Sequence, residues 1–438
     1  MKNNFDAIII GSGLGGLLSG AILAKKGYKP LILENLSFFG GKFTSFNYYG
    51  YEIPTGAFHA LPGGRYGNVG RLIKYLDLKV EIMEATPSFI VSTKNINYFL
   101  PLTLKDFKHI LSKNSIIRIL SIKEMLQLAR IMYIVLYSRS NIPDVTIKDF
   151  AKRYTNSNKI LNLLNKIISF TISTDIEDAS ANDVVIALRK QNRSFEGVIR
   201  GGCKALITEL VRYIEKNGGT LLNNTQVNEI IVKDQRAIGV ITEKNSFFSD
   251  LIISNAGPKN TAIILGNNCP KWLIEKTNNS IPAFGIAYSI ISDKPLINHK
   301  SVYIPLDAEK INGCLQVSNF DKNLSCRDKH FLLAYQLVNG NENINDAIKL
   351  GKRDLFKVFP NLSEKKILNI STYKNEWPAT FTQQRLGQAG CQRYPIQIKG
   401  IQNLHMISHD SEGYGLAAEI IGDAVLKFNE MIEARELG

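Results

Sequence analysis

An α/β fold is predicted, with one parallel sheet flanked by helices and a second part built of mixed sheet and helices. Three stretches predict it. Residues 7–34 run strand, glycine turn, helix, strand and acid. Residues 201–258 repeat a helix followed by strand alternation, and residues 284–337 alternate over four short runs before another helix.

Ala7–Ile10 is a β-branched apolar run, the pattern of a strand buried on both faces of a parallel sheet. It leads into Gly11, Ser12, Gly13, Leu14, Gly15 and Gly16, a G-x-G-x-x-G turn. A Leu- and Ala-rich helix over 17–26 follows, stopped by Gly27, and Leu31–Glu34 is a second strand ending in an acid. This order within about thirty residues is that of a dinucleotide-binding unit. Gly11 permits the tight turn, Gly13 lets backbone approach a pyrophosphate, and Gly16 allows close helix–strand packing. The helix start offers N–H groups and a positive dipole end to phosphates, and Glu34 can accept from ribose hydroxyls.

Composition bounds the rest. The 438 residues are 45% hydrophobic and 21% charged, an ordinary globular balance. The longest apolar run, Ile131–Tyr137, is far short of the roughly 20 residues of a membrane span. Lys and Arg total 53 against 39 acids, a net charge of +14, yet no basic block or nucleic-acid motif accompanies it, so no nucleic-acid partner is expected. Five cysteines (Cys203, Cys269, Cys314, Cys326, Cys391), odd in number and without a CxxC pair, argue against a disulfide framework and a metal site, and for a cytoplasmic setting. Glycines and Asp6 interrupt the apolar N-terminus, which reads as structure rather than a signal peptide.

Six residues beyond Glu34 stand Gly40, Gly41 and Lys42. With this second glycine pair the sequence resembles the flavoprotein group of phytoene desaturases, carotenoid isomerases, monoamine oxidases and protoporphyrinogen oxidases. The resemblance implies a discontinuous Rossmann-like FAD-binding domain (residues 1–65, 195–262 and 385–438). A substrate domain of mixed sheet and helices (66–194 and 263–384) would complete the chain, with a helical lid at about 104–190. It further implies that Gly11–Gly16, Glu34, Asn35, Gly40, Gly41, Lys42, Gly56 and Ala57 hold FAD. Val227 would cover the adenine, Ala256 would lie near the nucleotide, and Asp410 would bind the ribityl chain. Gly415, Leu416 and Ala417 would open a helix aimed at the flavin edge, where negative charge accumulates on reduction. Lys42 stands where the group usually has arginine, and His409 and Glu419 replace its usual small residues.

The same resemblance sets His59 in the turn beneath the flavin and makes it the one candidate catalytic side chain. Trp377 and Tyr394 are candidates to line the cavity, against the plainer reading that lone aromatics belong to the core. Leu104–Tyr137, with Arg139 just beyond it, carries seven bases against Asp106 and Glu124, so it reads as a lid over a lipophilic substrate or as a helix lying on an anionic membrane. The sheet over 284–337 is expected to carry helices on one side and roof the flavin. The implied activity is desaturation or isomerisation of a carotenoid or isoprenoid polyene by hydride transfer to flavin. An amine oxidase or protoporphyrinogen oxidase is the nearest alternative. A binder of prenylated partners like the Rab GDP-dissociation inhibitors is the alternative of another class, and an NAD-linked dehydrogenase is a third.

Overall fold

The computed structural model describes residues 5–94, 96–100, 112–137, 142–190, 196–372, 382–415 and 418–436. Its centre is a five-stranded, all-parallel sheet in the order Thr220–Leu222, Pro30–Leu33, Ala7–Ile10, Ile252–Ser254, Leu404–Met406. Three pieces of chain far apart in sequence therefore build one sheet. Alternate residues serve opposite faces. Ala7 and Ile9 pack on helices Leu14–Lys25, Gly202–Lys216 and Glu419–Glu436, while Ile8 and Ile10 pack against a three-stranded antiparallel sheet over 227–248. Burial on both faces is why Ala7–Ile10 and Pro30–Leu33 read as unbroken apolar runs.

The second part is a seven-stranded sheet in the order Ile367–Thr372, Phe284–Ser292, His330–Val338, Ile311–Leu315, Val302–Pro305, Phe89–Thr93, Ile96–Leu100. Two features depart from the sequence expectation. The hairpin Phe89–Leu100 joins the sheet edge, through a parallel pairing of Phe89–Ser92 with Val302–Pro305, in a region expected to be helical. Helices also cover both faces, not one. Leu332 and Ala334 face Ala347 and Leu355 of helix Ile344–Val358, while Phe331, Leu333 and Tyr335 face a layer that includes helix Asn158–Ile172. The predicted lid region contains helices Ile122–Leu136, Ile147–Lys152, Asn158–Ile172 and Ala181–Lys190, its segments 104–111 and 138–141 lying outside the described residues. Among the described residues no helix is long and apolar enough to cross a membrane.

Glu419 joins the two ends of the chain. Its carboxylate accepts from the N–H groups of Asn68 and Val69 (3.2 Å to the latter), capping helix Asn68–Tyr75 where Gly67 leaves room for it. This accounts for an acid where the resembling family has a small residue. Glu196 is buried nearby. Burial, then the Glu419 charge, push the Glu196 carboxyl up to about 8; burial does the same to Glu419 against the two amides that favour its charged form. The folded chain thus retains protons that the unfolded chain releases above about pH 4.5. Since the folded state binds more protons across that window, stability falls as pH rises from about 4.5 towards 8. Glu196→Gln, which keeps Glu419 as the cap, should flatten this dependence in calorimetric scans and stabilise the chain at pH 8 by on the order of 2 kcal/mol. A wild-type midpoint that rises towards pH 8 would overturn the assignment.

Candidate functional site

A cleft of about 410 Å³ opens at the carboxyl ends of the parallel strands, where Ile10, Leu33, Asn255 and Ser408 meet. Ligands of open parallel sheets bind at this edge. Gly11, Gly13, Leu14, Glu34, Asn35, Gly40, Gly41, Lys42, Val227, Ala256 and Asp410 all line it. The two ends of the chain and its middle thus meet in one cavity.

The glycine turn is shaped by what lies under it. Gly11 has φ +91°, the left-handed region that favours glycine. A Cβ on Gly13 would fall 2.4 Å from Asn255 Oδ1, and one on Gly16 would fall 2.2 Å from the Gly11 carbonyl. Asn255 is held as a peg: its N–H donates to Ile10 O at 2.7 Å and its Nδ2 to Ile407 O at 2.5 Å. Gly15 closes on the same side chain, since a Cβ there would fall 2.8 Å from Asn255 Nδ2. The sequence marks only an Asn-Ala-Gly-Pro loop at this point, because the role of Asn255 emerges only when the turn is set upon it.

Helix Leu14–Lys25 begins at this turn with no side-chain cap and no acid in its first turn. Elsewhere the chain caps helices with Ser121, Thr146, Ser157 and Asn343. An uncapped start facing a cleft is an anion site in waiting, since its amides need an acceptor and its dipole favours negative charge. Glu34 stands across from it. The Ser12 N–H and Oγ donate to its Oε2 at 2.8 and 2.6 Å, and the Leu36 N–H to its Oε1 at 2.9 Å, which fixes the carboxylate and leaves acceptor capacity on the cleft side. Gly40 donates to the Ser12 carbonyl at 3.0 Å, so the second glycine pair is laced to the first turn. Lys42 brings a cation into the cleft. Burial lowers its pKa to about 8, and the Asp410 charge opposes that fall. Gly56 packs on the Lys42 carbonyl, and Ala57 and Phe58 continue into apolar packing against a core that includes Phe170 and Tyr335.

Asp410 is buried at the cleft wall. It accepts the Thr382 N–H at 2.6 Å and lies 3.4 Å from the Arg393 guanidinium. Arg393 is itself enclosed, 2% exposed, and also donates to the carbonyls of His409 (2.7 Å) and Thr382 (3.3 Å). The strand-end position marks the acid in the sequence, but no local motif speaks for its partner.

Other expected site residues lie elsewhere. His59 is fully buried and away from the cleft. Its Nδ1 accepts the Cys203 N–H at 3.2 Å, so Nε2 carries the proton and donates to the Glu52 carbonyl at 2.6 Å. Burial lowers its pKa to about 4, which keeps it neutral, and both nitrogens serve the scaffold. Tyr394 is enclosed in the core with its hydroxyl on Ser280. Gly415 packs against the start of helix Glu419–Glu436, while Leu416, Ala417 and Trp377 lie outside the described residues. Among the described residues no group of three His, Cys, Asp or Glu side chains could hold a metal ion.

The fit to a nucleotide cofactor is chemical as well as spatial. Helix-start amides without a side-chain cap and a cation suit a diphosphate, a fixed carboxylate suits ribose hydroxyls, and a cleft of this volume falls in the range of small-ligand pockets.

Comparison with known proteins agrees. Residues 9–76 match the family model described as an NAD(P)-binding Rossmann-like domain. An uncharacterized protein of Methanocaldococcus jannaschii is 28% identical over 84% of this chain and 86% of its own length. A chloroplastic prolycopene isomerase of an Oncidium hybrid cultivar is 24% identical over 58% of this chain and 48% of its own, so the chain spans about half of that relative. An all-trans-retinol 13,14-reductase of Rattus norvegicus is 44% identical over only 17% of this chain and 12% of its own. Among solved structures, an oxidoreductase from Methanosarcina mazei superposes with a TM-score of 0.85 at 25% identity, covering 97% of this chain and 99% of that one. The RAB GDI of Plasmodium falciparum, 14% identical with a TM-score of 0.60 over 99% and 98% of the two chains, shares the fold alone. By its fold and by these likenesses, the chain is similar to the FAD-dependent oxidoreductases.

Proposed function

We propose that the cleft holds FAD and that the protein desaturates or isomerises a lipophilic polyene. The observation that carries the cofactor is the convergence of the Gly11–Gly16 turn, Glu34, Lys42, Val227 and Asp410 on one cavity. When bound, FAD supplies the two-electron chemistry. The chain's own work is to bind and orient. Glu34, fixed by Ser12, would take the ribose, the first-turn amides and Lys42 would take the diphosphate, and Asp410, fixed by Arg393 and the Thr382 N–H, would take a hydroxyl of the ribityl chain.

The substrate class rests on two supports. The relatives named for prolycopene and all-trans-retinol point to polyenes. Beyond Gly56, which packs on the Lys42 carbonyl, Ala57 and Phe58 lie against an apolar cluster, with Phe58 5.0 Å from Phe170 and 6.3 Å from Tyr335 by ring centroids. That surrounding suits a hydrocarbon and offers an amine no counter-charge.

Purified protein should be yellow and release FAD on denaturation. Stripped protein should rebind FAD in preference to NADH. With a polyene of the phytoene or lycopene type under anaerobic conditions, the product should show shifted absorbance. A colourless protein that extracts with prenyl lipid would favour the non-redox binder, and flavin reduction by amines with polyenes inert would favour the amine oxidase reading.

A further inference from the structure

Helix Ile122–Leu136 breaks the pattern of the other surface helices. Its exposed positions 122, 126, 133 and the following 137 are Ile, Leu, Tyr and Tyr, at 74%, 68%, 63% and 49% exposure. With Ala129 they form one stripe at a spacing of three to four residues. The opposite side is also apolar: Ile131 and Val135 are buried in the core, with Leu128 and Ile134 packed beside them. Helix Ile344–Val358 shows what water selects on this chain, since its exposed positions are Asn345, Asp346, Lys349, Arg353 and Lys357. A helix apolar on both sides is a helix with something to cover each.

The segment is also firmly built. Ser121 and Glu124 form a capping box, with Ser121 N–H to Glu124 Oε2 at 2.8 Å. At the other end the Arg189 guanidinium donates to the carbonyls of Val135 at 2.8 Å and Ile134 at 3.0 Å. The outward stripe is therefore a fixed platform and not a frayed end.

Charge selects the occupant. Lys123 and Arg130 are exposed beside the stripe, Lys113 and Arg118 are exposed just before it, and Glu124 is the sole acid in residues 112–137. Arg130 is steadied over the Tyr154 ring at 5.1 Å. An apolar stripe edged by cations, with tyrosines at one end, on a chain of net charge +14, matches the boundary of an anionic bilayer.

We infer that helix Ile122–Leu136 lies on an anionic lipid surface, Ile122, Leu126, Tyr133 and Tyr137 entering the headgroup boundary and Lys123 and Arg130 meeting lipid phosphates. This inference stands independently of the cofactor. The full-length protein should co-sediment with phosphatidylcholine vesicles containing about 30% phosphatidylglycerol, at least tenfold more strongly than with phosphatidylcholine alone, and the difference should shrink in high salt. Ile122→Ser/Leu126→Ser/Tyr133→Ser should lose binding at least tenfold with an unchanged thermal midpoint, because these side chains are exposed. Lys123→Gln/Arg130→Gln should lose binding only in the phosphatidylglycerol arm. Absence of binding by the wild type, or wild-type binding by the triple variant, overturns the inference. So does a wild-type dimer in analytical ultracentrifugation that the triple variant converts to monomer, since the stripe would then be a face between copies of the chain.

Discussion

Arg393→Met lowers stability by about 3–5 kcal/mol, the usual cost of removing one partner from a buried ion pair. The loss is larger than the 3.4 Å contact with Asp410 alone would suggest. Arg393 is enclosed, so its removal leaves Asp410 charged in a low-dielectric wall, and the carbonyls of His409 and Thr382 lose a donor together with it. The double variant Arg393→Met/Asp410→Asn should recover much of the loss, because it leaves no uncompensated charge behind. Asp410→Asn alone should be costly for the mirror reason: the Arg393 guanidinium, whose pKa burial already lowers against the Asp410 charge, would keep its charge without a counter-ion. Denaturant titration of the three variants as a mutant cycle measures the coupling. A coupling near zero would mean that the pair is incidental to the wall of the cleft.

What the sequence discloses and what it hides divide along a physical line. The strand Ala7–Ile10, the glycine turn, the helix after it and Glu34 are close in sequence, and each obeys a local rule, so their pattern can be read directly. The strands that later pieces of chain add to the parallel sheet are legible for a related reason: a parallel strand buried on both faces is short and mostly apolar, as Ile252–Ser254 and Leu404–Met406 are apart from Ser254 and His405. Hairpin Phe89–Leu100 escapes such reading because its place is set by pairing with Val302–Pro305, more than two hundred residues away, and not by its own pattern. The second helical cover of the seven-stranded sheet escapes similarly, although strand His330–Val338, apolar almost throughout, carries the signature of burial on both sides. His59 stands out in the sequence for its position in a turn, whereas its burial between Glu52 and Cys203 is a tertiary fact. Glu419 is the instructive departure. Against the family pattern it looks like a poor fit to the helix start, and the fold uses it to cap a helix at the other end of the chain.

The peg beneath the glycine turn sets the second large effect. Gly13→Val should leave a folded protein that has lost cofactor affinity by about a hundredfold, and Gly13→Ala one that has lost about tenfold. Any Cβ at residue 13 meets Asn255 Oδ1 at 2.4 Å, so either the turn lifts off the strand ends or Asn255 rotates and gives up its bond to the Ile407 carbonyl. Both responses move the first-turn amides of helix Leu14–Lys25, the proposed seat of the diphosphate. The larger Val adds a β-branched clash that Ala avoids. Asn255→Ala removes the peg, so Gly13→Ala/Asn255→Ala should bind better than Gly13→Ala, while Asn255→Ala alone should be destabilised by its lost hydrogen bond to the Ile407 carbonyl by about 1–2 kcal/mol. The flavin-to-protein absorbance ratio after gel filtration, followed by titration of stripped protein with FAD, reads the affinities, and far-ultraviolet circular dichroism confirms the fold. Gly13→Val protein with wild-type flavin content would show that the cofactor is held elsewhere, and with it the cleft would lose its role.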